Sequence, residues 1–538
     1  MLKTGEIATK YKFWRRYLSR EKFYLTVSRT RNYLLGLATG YTVRIVTIVV
    51  GLWLTPFVLR YLARDEYAIF ALSSDVIMWL GLLDIGISAG LNVHLAQKSG
   101  KIDIELVSQY ASTTFFAQML IVLLVLLVGG GITLGFPSFF DVRPDLQQES
   151  MITVGLLVLG TAVSFGVRTF SVILVAHQQI HIDNLIRLGL IVIRTLLTVV
   201  LLQQGWGVVS LAVAYLAATG ITSIFAVIRT YKLLPGIQIR PKLVSWDILK
   251  KVGGIGIWFS LGGLAGLVII GVDRVVAGKL VSLEAVTVFS LTGRLYLLAQ
   301  GFLDQIVNTA RPALGQLIGA GKMDAALKTY RQMFTLSTGT AVVACFAIWA
   351  GNETFVKAWV GEINYGGDAL NTAFALNLLV NVWIIPNRAT LSAGLLVKRQ
   401  VLSRVGEAVL NLGLSIFLTL QFGLVGVVLS TAIAALLTSF WYLPYLTAKM
   451  FERPYIRFLQ DDSVKIIVSG GCLVPVSWIA QELAVMVGGL LGAVLGIGGT
   501  ALIGLVVLWR VVFDCDLKKR IKDTVKRAFS KSIFQTSY

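Results

Sequence analysis

The stretch from Asn184 to Arg229, NLIRLGLIVIRTLLTVVLLQQGWGVVSLAVAYLAATGITSIFAVIR, decides the fold of this 538-residue chain. It holds two apolar runs, 184 to 203 and 207 to 229, separated only by the tight turn Gln204-Gly205-Trp206-Gly207. A hydrocarbon core about 30 Å thick takes roughly 20 residues of α-helix, so each run reads as one membrane span and the pair as a helical hairpin. Arg194 stands midway along the first run. A cation at that depth is costly in lipid, so it is expected to face a wet cavity or a partner.

The same reading extends in both directions. Toward the N-terminus, runs lie at 33 to 59, 67 to 96, 108 to 135 and 151 to 176. Toward the C-terminus they lie at 252 to 277, 285 to 310, 333 to 350, 368 to 396, 405 to 420, 424 to 447, 463 to 480 and 486 to 512. The expected class is an all-α polytopic membrane protein of about 14 transmembrane helices. A composition of 56% hydrophobic and 14% charged residues agrees, as does a mean hydropathy of +0.78. The connections are too short for a catalytic domain, which excludes a membrane-embedded glycan ligase or polymerase with a large outer loop and predicts a protein that is not an enzyme.

The net charge of +20 does not indicate nucleic acid. The basic residues sit in the two tails and in alternate loops, among them Lys98 and Lys101, Lys250 and Lys251, Lys322 and Lys328, and Lys398 and Arg399. The opposite loops carry Asp141, Asp145 and Glu149, or Glu353, Glu362 and Asp368. By the positive-inside rule both termini are expected in the cytoplasm, and the charge pattern is one of topology signals facing anionic membrane lipid. The N-terminal arm, with Arg15, Arg16 and Arg20, reads either as an amphipathic surface helix presenting Phe13, Tyr17 and Tyr24 or as a solvated tail. Cys345, Cys472 and Cys515 show no disulfide or metal spacing, and His177 with His181 lacks a third ligand, so neither metal nor cofactor is expected.

The chain carries an internal echo. In the first half Glu66, Leu83-Asp84 and Gly100-Lys101-Ile102-Asp103 occur in order, and Glu284, Leu303-Asp304 and Gly321-Lys322-Met323-Asp324 repeat that order in the second. The turn Gln204-Gly205-Trp206-Gly207 is likewise echoed at Gln421-Phe422-Gly423. Spans 1 to 6 and 7 to 12 therefore read as parallel copies, two pseudo-symmetric six-helix lobes around a central cavity, with two appended helices. The expected division is a basic arm at 1–32, an N-lobe at 33–230, a linker at 231–251, a C-lobe at 252–449, appended helices at 450–513 and a basic tail at 514–538.

Tyr61-Leu62-Ala63-Arg64-Asp65-Glu66-Tyr67-Ala68-Ile69-Phe70-Ala71-Leu72, followed by Leu82-Leu83-Asp84-Ile85-Gly86 and Lys101-Ile102-Asp103, resembles the first helical hairpin of polysaccharide flippases. Val272-Asp273-Arg274 resembles that family's Asp-Arg, and Gly423-Leu424-Val425-Gly426 resembles its outer turn. The flippases belong to the multidrug/oligosaccharidyl-lipid/polysaccharide (MOP) exporter superfamily, and the likeness covers most of residues 33 to 450. It implies a two-lobed bundle that moves a lipid-linked oligosaccharide, on undecaprenyl pyrophosphate, across the cell inner membrane by alternating access. Membrane lipids and other polysaccharide-assembly proteins are the implied partners. The N-terminal arginine pattern of the peptidoglycan-precursor flippase is missing. Cation-coupled multidrug antiporters share the fold and form the alternative.

Arg44, Arg168, Arg194 and Arg294 are the candidate substrate-binding residues, because a guanidinium fork matches phosphate oxygens bidentately and keeps its charge. The bland alternative is that each one pairs with a carboxylate and holds helices together. Asp75 is a candidate for proton coupling or for an ion pair with Arg44. Asp84, nine residues on, falls on the opposite helix face and reads, with Asp304, as a packing element. Asp273 and Arg274 form a candidate outer gate pair or a local ion pair. Arg187, Arg274, Arg311 and Arg388 lie near helix ends and are set apart from the central site, and Pro386 is a candidate hinge.

Overall fold

The computed structural model describes residues 35 to 513 except 37, 85, 99–103, 178 and 395, and also Lys518. The basic arm, Cys515, most of the basic tail and the Gly100-Lys101-Ile102-Asp103 landmark lie outside the described residues. Within them there is no strand. The helices are α1 (Ala38–Val58), α2 (Arg64–Leu80), α3 (Ile87–Lys98), α4 (Ile104–Phe139), α5 (Gln147–Ala176), α6 (Ile180–Gln203), α7 (Val209–Leu233) and α8 (Trp246–Leu280). They continue with α9 (Leu283–Thr292), α10 (Arg294–Gly319), α11 (Met323–Val360), α12 (Gly367–Ala393), α13 (Val397–Leu437), α14 (Ser439–Met450), α15 (Tyr455–Val487) and α16 (Gly489–Val507).

Among the described residues 11 helices are long and apolar enough to cross a bilayer, or 12 if α9 and α10, bent by 51°, make one span. The expected number was about fourteen, and with the bent pair counted as one span two places account for the difference. The run 67 to 96 is broken by a 3₁₀ turn at Gly81–Asp84, leaving α2 and α3 each too short to qualify alone. The runs 405 to 420 and 424 to 447 merge into one helical stretch, Lys398–Met450, of 53 residues. At 1.5 Å per residue it would extend about 80 Å if straight. It is not straight: Gly423 adopts φ 56 and ψ −137, and Asn411 reaches back to Thr431 across 2.8 Å. Gly205 in the corresponding earlier turn also has positive φ, 82. Such backbone favours glycine because a Cβ would crowd the neighbouring carbonyl.

The chain divides into two compact units. The first comprises residues 1–62, 80–138 and 143–260, and the second 63–79, 139–142 and 261–538. In the first, α7 packs on α5 and α6. Gly160 of α5 lies flush against the Tyr215 ring of α7, where a methyl group would overlap it, and this small residue lets the backbones approach. Leu91, Tyr110, Ile173, Leu234, Ile248 and Val252 form an apolar cluster beside the α7–α8 connection. That connection is clamped to α4: Ser108 accepts from the Gln238 amide at 3.1 Å, Ser112 from Arg240 at 3.1 Å, and Thr113 from Ser245 at 3.0 Å. Ser108 and Ser112 are four apart and so share a helix face.

In the second unit α11 carries most of the packing, against α10, α12, α15 and α16. Gly351 and Gly496 meet along the α11–α16 seam, and a side chain at Gly504 would overlap Val343. Polar bonds pin the buried interior: the Tyr330 hydroxyl donates to Asn387 at 2.9 Å, Tyr296 to Asn371 at 2.8 Å, and Asn352 to Asn371 at 2.9 Å. Pro386 sits inside a continuous α12. Many outward side chains, such as Leu134, Val409, Leu420 and Met486, are large, apolar and exposed, the surface expected of helices that face lipid.

Candidate functional site

The predicted site residues fall in both units. Arg44, Arg168 and Arg194 belong to the first, and Asp75, Asp273, Arg274 and Arg294 to the second. Each set is described within its own unit.

In the first unit Arg44 is exposed on α1. Arg168, on α5, lies 3.5 Å from Asp84 and 5.2 Å from the centre of the Phe165 ring. Asp84 is buried, and it also accepts from the Gln118 amide at 2.7 Å and from Ser88. Arg168 is thus tied to a carboxylate that three helical segments share, with 42% of its side chain still exposed. Arg194 places its guanidinium 5.5 Å over the Tyr215 ring, on the layer of α7 that packs against Gly160. Aromatic faces attract guanidinium groups, most strongly away from water. Arg187 pairs with Asp183 one turn away on its own helix at 2.9 Å.

In the second unit Arg274 does not turn to its neighbour Asp273. Its Nε lies 3.0 Å from Oδ2 of Asp75, a carboxylate only 4% exposed. Asp75 is therefore in an ion pair, one of the two roles the sequence offered for it, with Arg274 as the partner. The contact belongs to a seam between α2 and α8: Trp79 lies against Gly271, Asp75 meets Arg274, and Leu72 touches Gly278. Gly271 and Gly278, seven apart, share one face and allow the close approach. Beyond the seam Arg64 pairs with Glu284 at 2.9 Å, Thr287 donates to the Arg64 carbonyl, and Lys279 pairs with Asp141 at 2.6 Å.

Asp273 is held differently. The Thr431 hydroxyl lies 3.1 and 3.2 Å from its carboxylate oxygens, and Thr431 itself accepts from Asn411. Asn411 Oδ1 and Ser415 Oγ, both buried on the same helix, have no hydrogen-bond partner. Asp273, Thr431 and Asn411 thus make a linked set of oxygen-bearing side chains on α8 and α13, suited to holding a proton or a cation. No group of three His, Cys, Asp or Glu side chains that could hold a metal occurs among the described residues.

Arg294 opens α10 immediately after the bend at Gly293, where a methyl group would overlap the Phe374 ring. Its Nε is buried and makes no hydrogen bond. Arg388, set aside as a helix-end residue, lies instead in a buried group with Arg404 and Glu407. The sequence offered one signal for this group: Arg404 and Glu407 are three apart and therefore stacked on one helix face. Elsewhere in this unit a cavity of about 770 Å³, lined by Phe346, Trp383, Phe440, Val464 and Ile467 among others, has walls without a charged residue.

No family model matches the sequence. Among solved structures, an inward-facing multidrug resistance MATE transporter of the MOP superfamily matches with a TM-score of 0.64 at 16% identity, over 78% of this chain and 99% of that one. The lipid II flippase MurJ, in an inward closed conformation, matches with a TM-score of 0.63 at 15% identity, over 89% of this chain and 99% of its own. The chain has the fold of the MOP exporter superfamily. A further MOP superfamily transporter, from Pyrococcus furiosus and described by the reversed polarity of its binding pocket, matches with a TM-score of 0.52 at 15% identity, over 78% of this chain and 94% of that one. A curated relative is the uncharacterized membrane protein EpsK of Bacillus subtilis (strain 168), 21% identical over 339 residues. The match takes in 61% of this chain and 66% of EpsK, just under two thirds of that relative's length. At these identities the MOP likeness establishes a multi-pass membrane fold, the one that the hairpin motifs led us to expect.

Proposed function

We propose that the chain is a flippase, translocating an undecaprenyl-pyrophosphate-linked oligosaccharide across the cell inner membrane by alternating access, with both termini in the cytoplasm and no chemical change to its cargo. The observation that carries this reading is Arg294, a cation at a break in a membrane helix whose buried Nε has no hydrogen-bond partner. A buried donor left without a partner costs free energy, so the position favours a ligand with acceptor oxygens. A pyrophosphate supplies them in the geometry that a guanidinium fork matches. In the first unit Arg44, Arg168 and Arg194 are the further proposed substrate contacts, and in the second Arg274 with Asp75 acts as a gate latch. The fold shared with a lipid II flippase supports the class of cargo.

The second reading, a cation-coupled multidrug antiporter, draws support from the likeness to MATE transporters and from the oxygen set at Asp273, which would hold the coupling ion. The two readings separate in one experiment. Deletion of the gene leads to accumulation of an undecaprenyl-linked glycan on the cytoplasmic leaflet if the chain is the flippase, and the wild-type chain, but not Arg294→Ala, clears it. Unchanged lipid-linked glycan together with lost resistance to cationic drugs would establish the antiporter instead.

A further inference from the structure

We infer that Arg388 and Arg404, on the neighbouring helices α12 and α13, form a binding site for a phosphate-type oxyanion inside the second unit. The site is additional to the arginines of the proposed transport path and does not depend on that reading. Its first support is the poor use these two side chains make of their own surroundings. Arg388 is 19% exposed, and its Nη2 comes no closer than 3.9 Å to Oε2 of Glu407, beyond hydrogen-bond distance. That oxygen already accepts the hydroxyl proton of Ser439. The Nε atoms of both Arg388 and Arg404 are buried without a hydrogen-bond partner.

An ion-pair network that existed only to fasten helices would show forked contacts near 2.8 Å, since each guanidinium carries about five donors in a rigid plane. Here the donors are left unspent. The two cations are also close enough to repel each other, and Glu407 and Asp304 are the carboxylates that act on both. Those carboxylates offset the repulsion from a distance but leave the Nε donors of both guanidinium groups without a hydrogen bond. The third support is the packing beneath Arg404. The Arg404 guanidinium lies directly on Gly266 of α8, where a methyl group would overlap it, so glycine makes the room in which that plane sits. A tetrahedral oxyanion, with several acceptor oxygens, satisfies these unspent donors together.

The ligand chemistry has two sources, the headgroup of a membrane lipid or a free phosphate compound. The test uses the full chain in phosphatidylcholine nanodiscs, with inorganic pyrophosphate as probe against sodium chloride of equal ionic strength, read by the thermal unfolding midpoint and by isothermal titration. Pyrophosphate is expected to raise the midpoint of the wild type. Arg404→Gln and Arg388→Gln are expected to weaken its binding by roughly tenfold or more. Gly266→Ala keeps both charges and displaces the Arg404 plane, so it is expected to weaken binding even if the arginine variants fold poorly. Arg187→Gln, in the first unit, is expected to bind as the wild type does.

Repeating the titration in discs containing phosphatidylglycerol separates the sources. A lipid occupant abolishes the pyrophosphate response and adds a stabilisation that Arg404→Gln lacks, whereas a free phosphate occupant leaves the response intact. A wild type that responds to neither pyrophosphate nor phosphatidylglycerol, or a Gly266→Ala and Arg404→Gln pair that responds fully, overturns the proposal.

Discussion

Arg274 pairs with Asp75, from a helix almost two hundred residues earlier, and not with the carboxylate beside it in the chain. Helix geometry explains the choice, because adjacent residues on a helix point about 100° apart and Asp273 turns inward to Thr431. Removing one partner leaves a buried charge uncompensated. Asp75→Asn or Arg274→Gln should each destabilise the protein by about 3 kcal/mol, and the double variant should cost less than the sum of the singles. Unfolding in mixed detergent, followed as a double-mutant cycle, measures the coupling; strictly additive effects would refute it.

Arg294 is expected to be sensitive to shape as well as charge. Arg294→Ala should reduce clearance of the lipid-linked glycan by about tenfold or more with normal membrane insertion, and Arg294→Lys should retain an intermediate level because charge persists while the fork is lost. Equal transport by all three proteins would remove Arg294 from the path.

The Arg194 guanidinium depends on the ring beneath it. Tyr215→Phe keeps that face and should behave nearly as the wild type, whereas Tyr215→Ala should lower stability through lost packing and a lost cation–π contact of about 1 kcal/mol. Thermal denaturation of the two variants decides this, and an equal loss in both would point to the phenol hydroxyl instead.

If the oxygen set at Asp273 holds the coupling ion, transport in proteoliposomes should rise with an inward sodium or proton gradient and become indifferent to it in Asp273→Asn. Thr431→Val should weaken the dependence, since it removes the hydroxyl that bonds the carboxylate. A gradient response preserved in Asp273→Asn would exclude the role.

Spans, hairpins and the turn at Gly423 were legible because hydrophobic run length and glycine both act locally. The breaks were harder to see. The apolar run from 67 to 96 hides a 3₁₀ turn at Gly81–Asp84, because run length alone does not register the glycines Gly81 and Gly86 that permit the break, the second with φ 71. The candidate site was legible as a set of costly intramembrane charges but not as a set of partners. Arg168 with Asp84 and Arg274 with Asp75 depend on which helix faces which, and one sequence does not encode that in any short-range pattern. Arg388 does lie near the end of α12, but distance from a helix end does not tell how deeply the neighbouring helices bury a side chain there.

The serine and threonine clamp on α4 changes where this molecule can flex. Residues 238 to 245 are fastened to a helix, so the passage from one half of the chain to the other contains little slack loop. The limit between the compact units falls inside α8, between Ser260 and Leu261. On either side the helix carries Gly253, Gly254, Gly256, Gly262, Gly263 and Gly266, each of which lowers helix propensity by about 1 kcal/mol relative to alanine. Compliance is thereby built into a membrane helix whose upstream end is anchored.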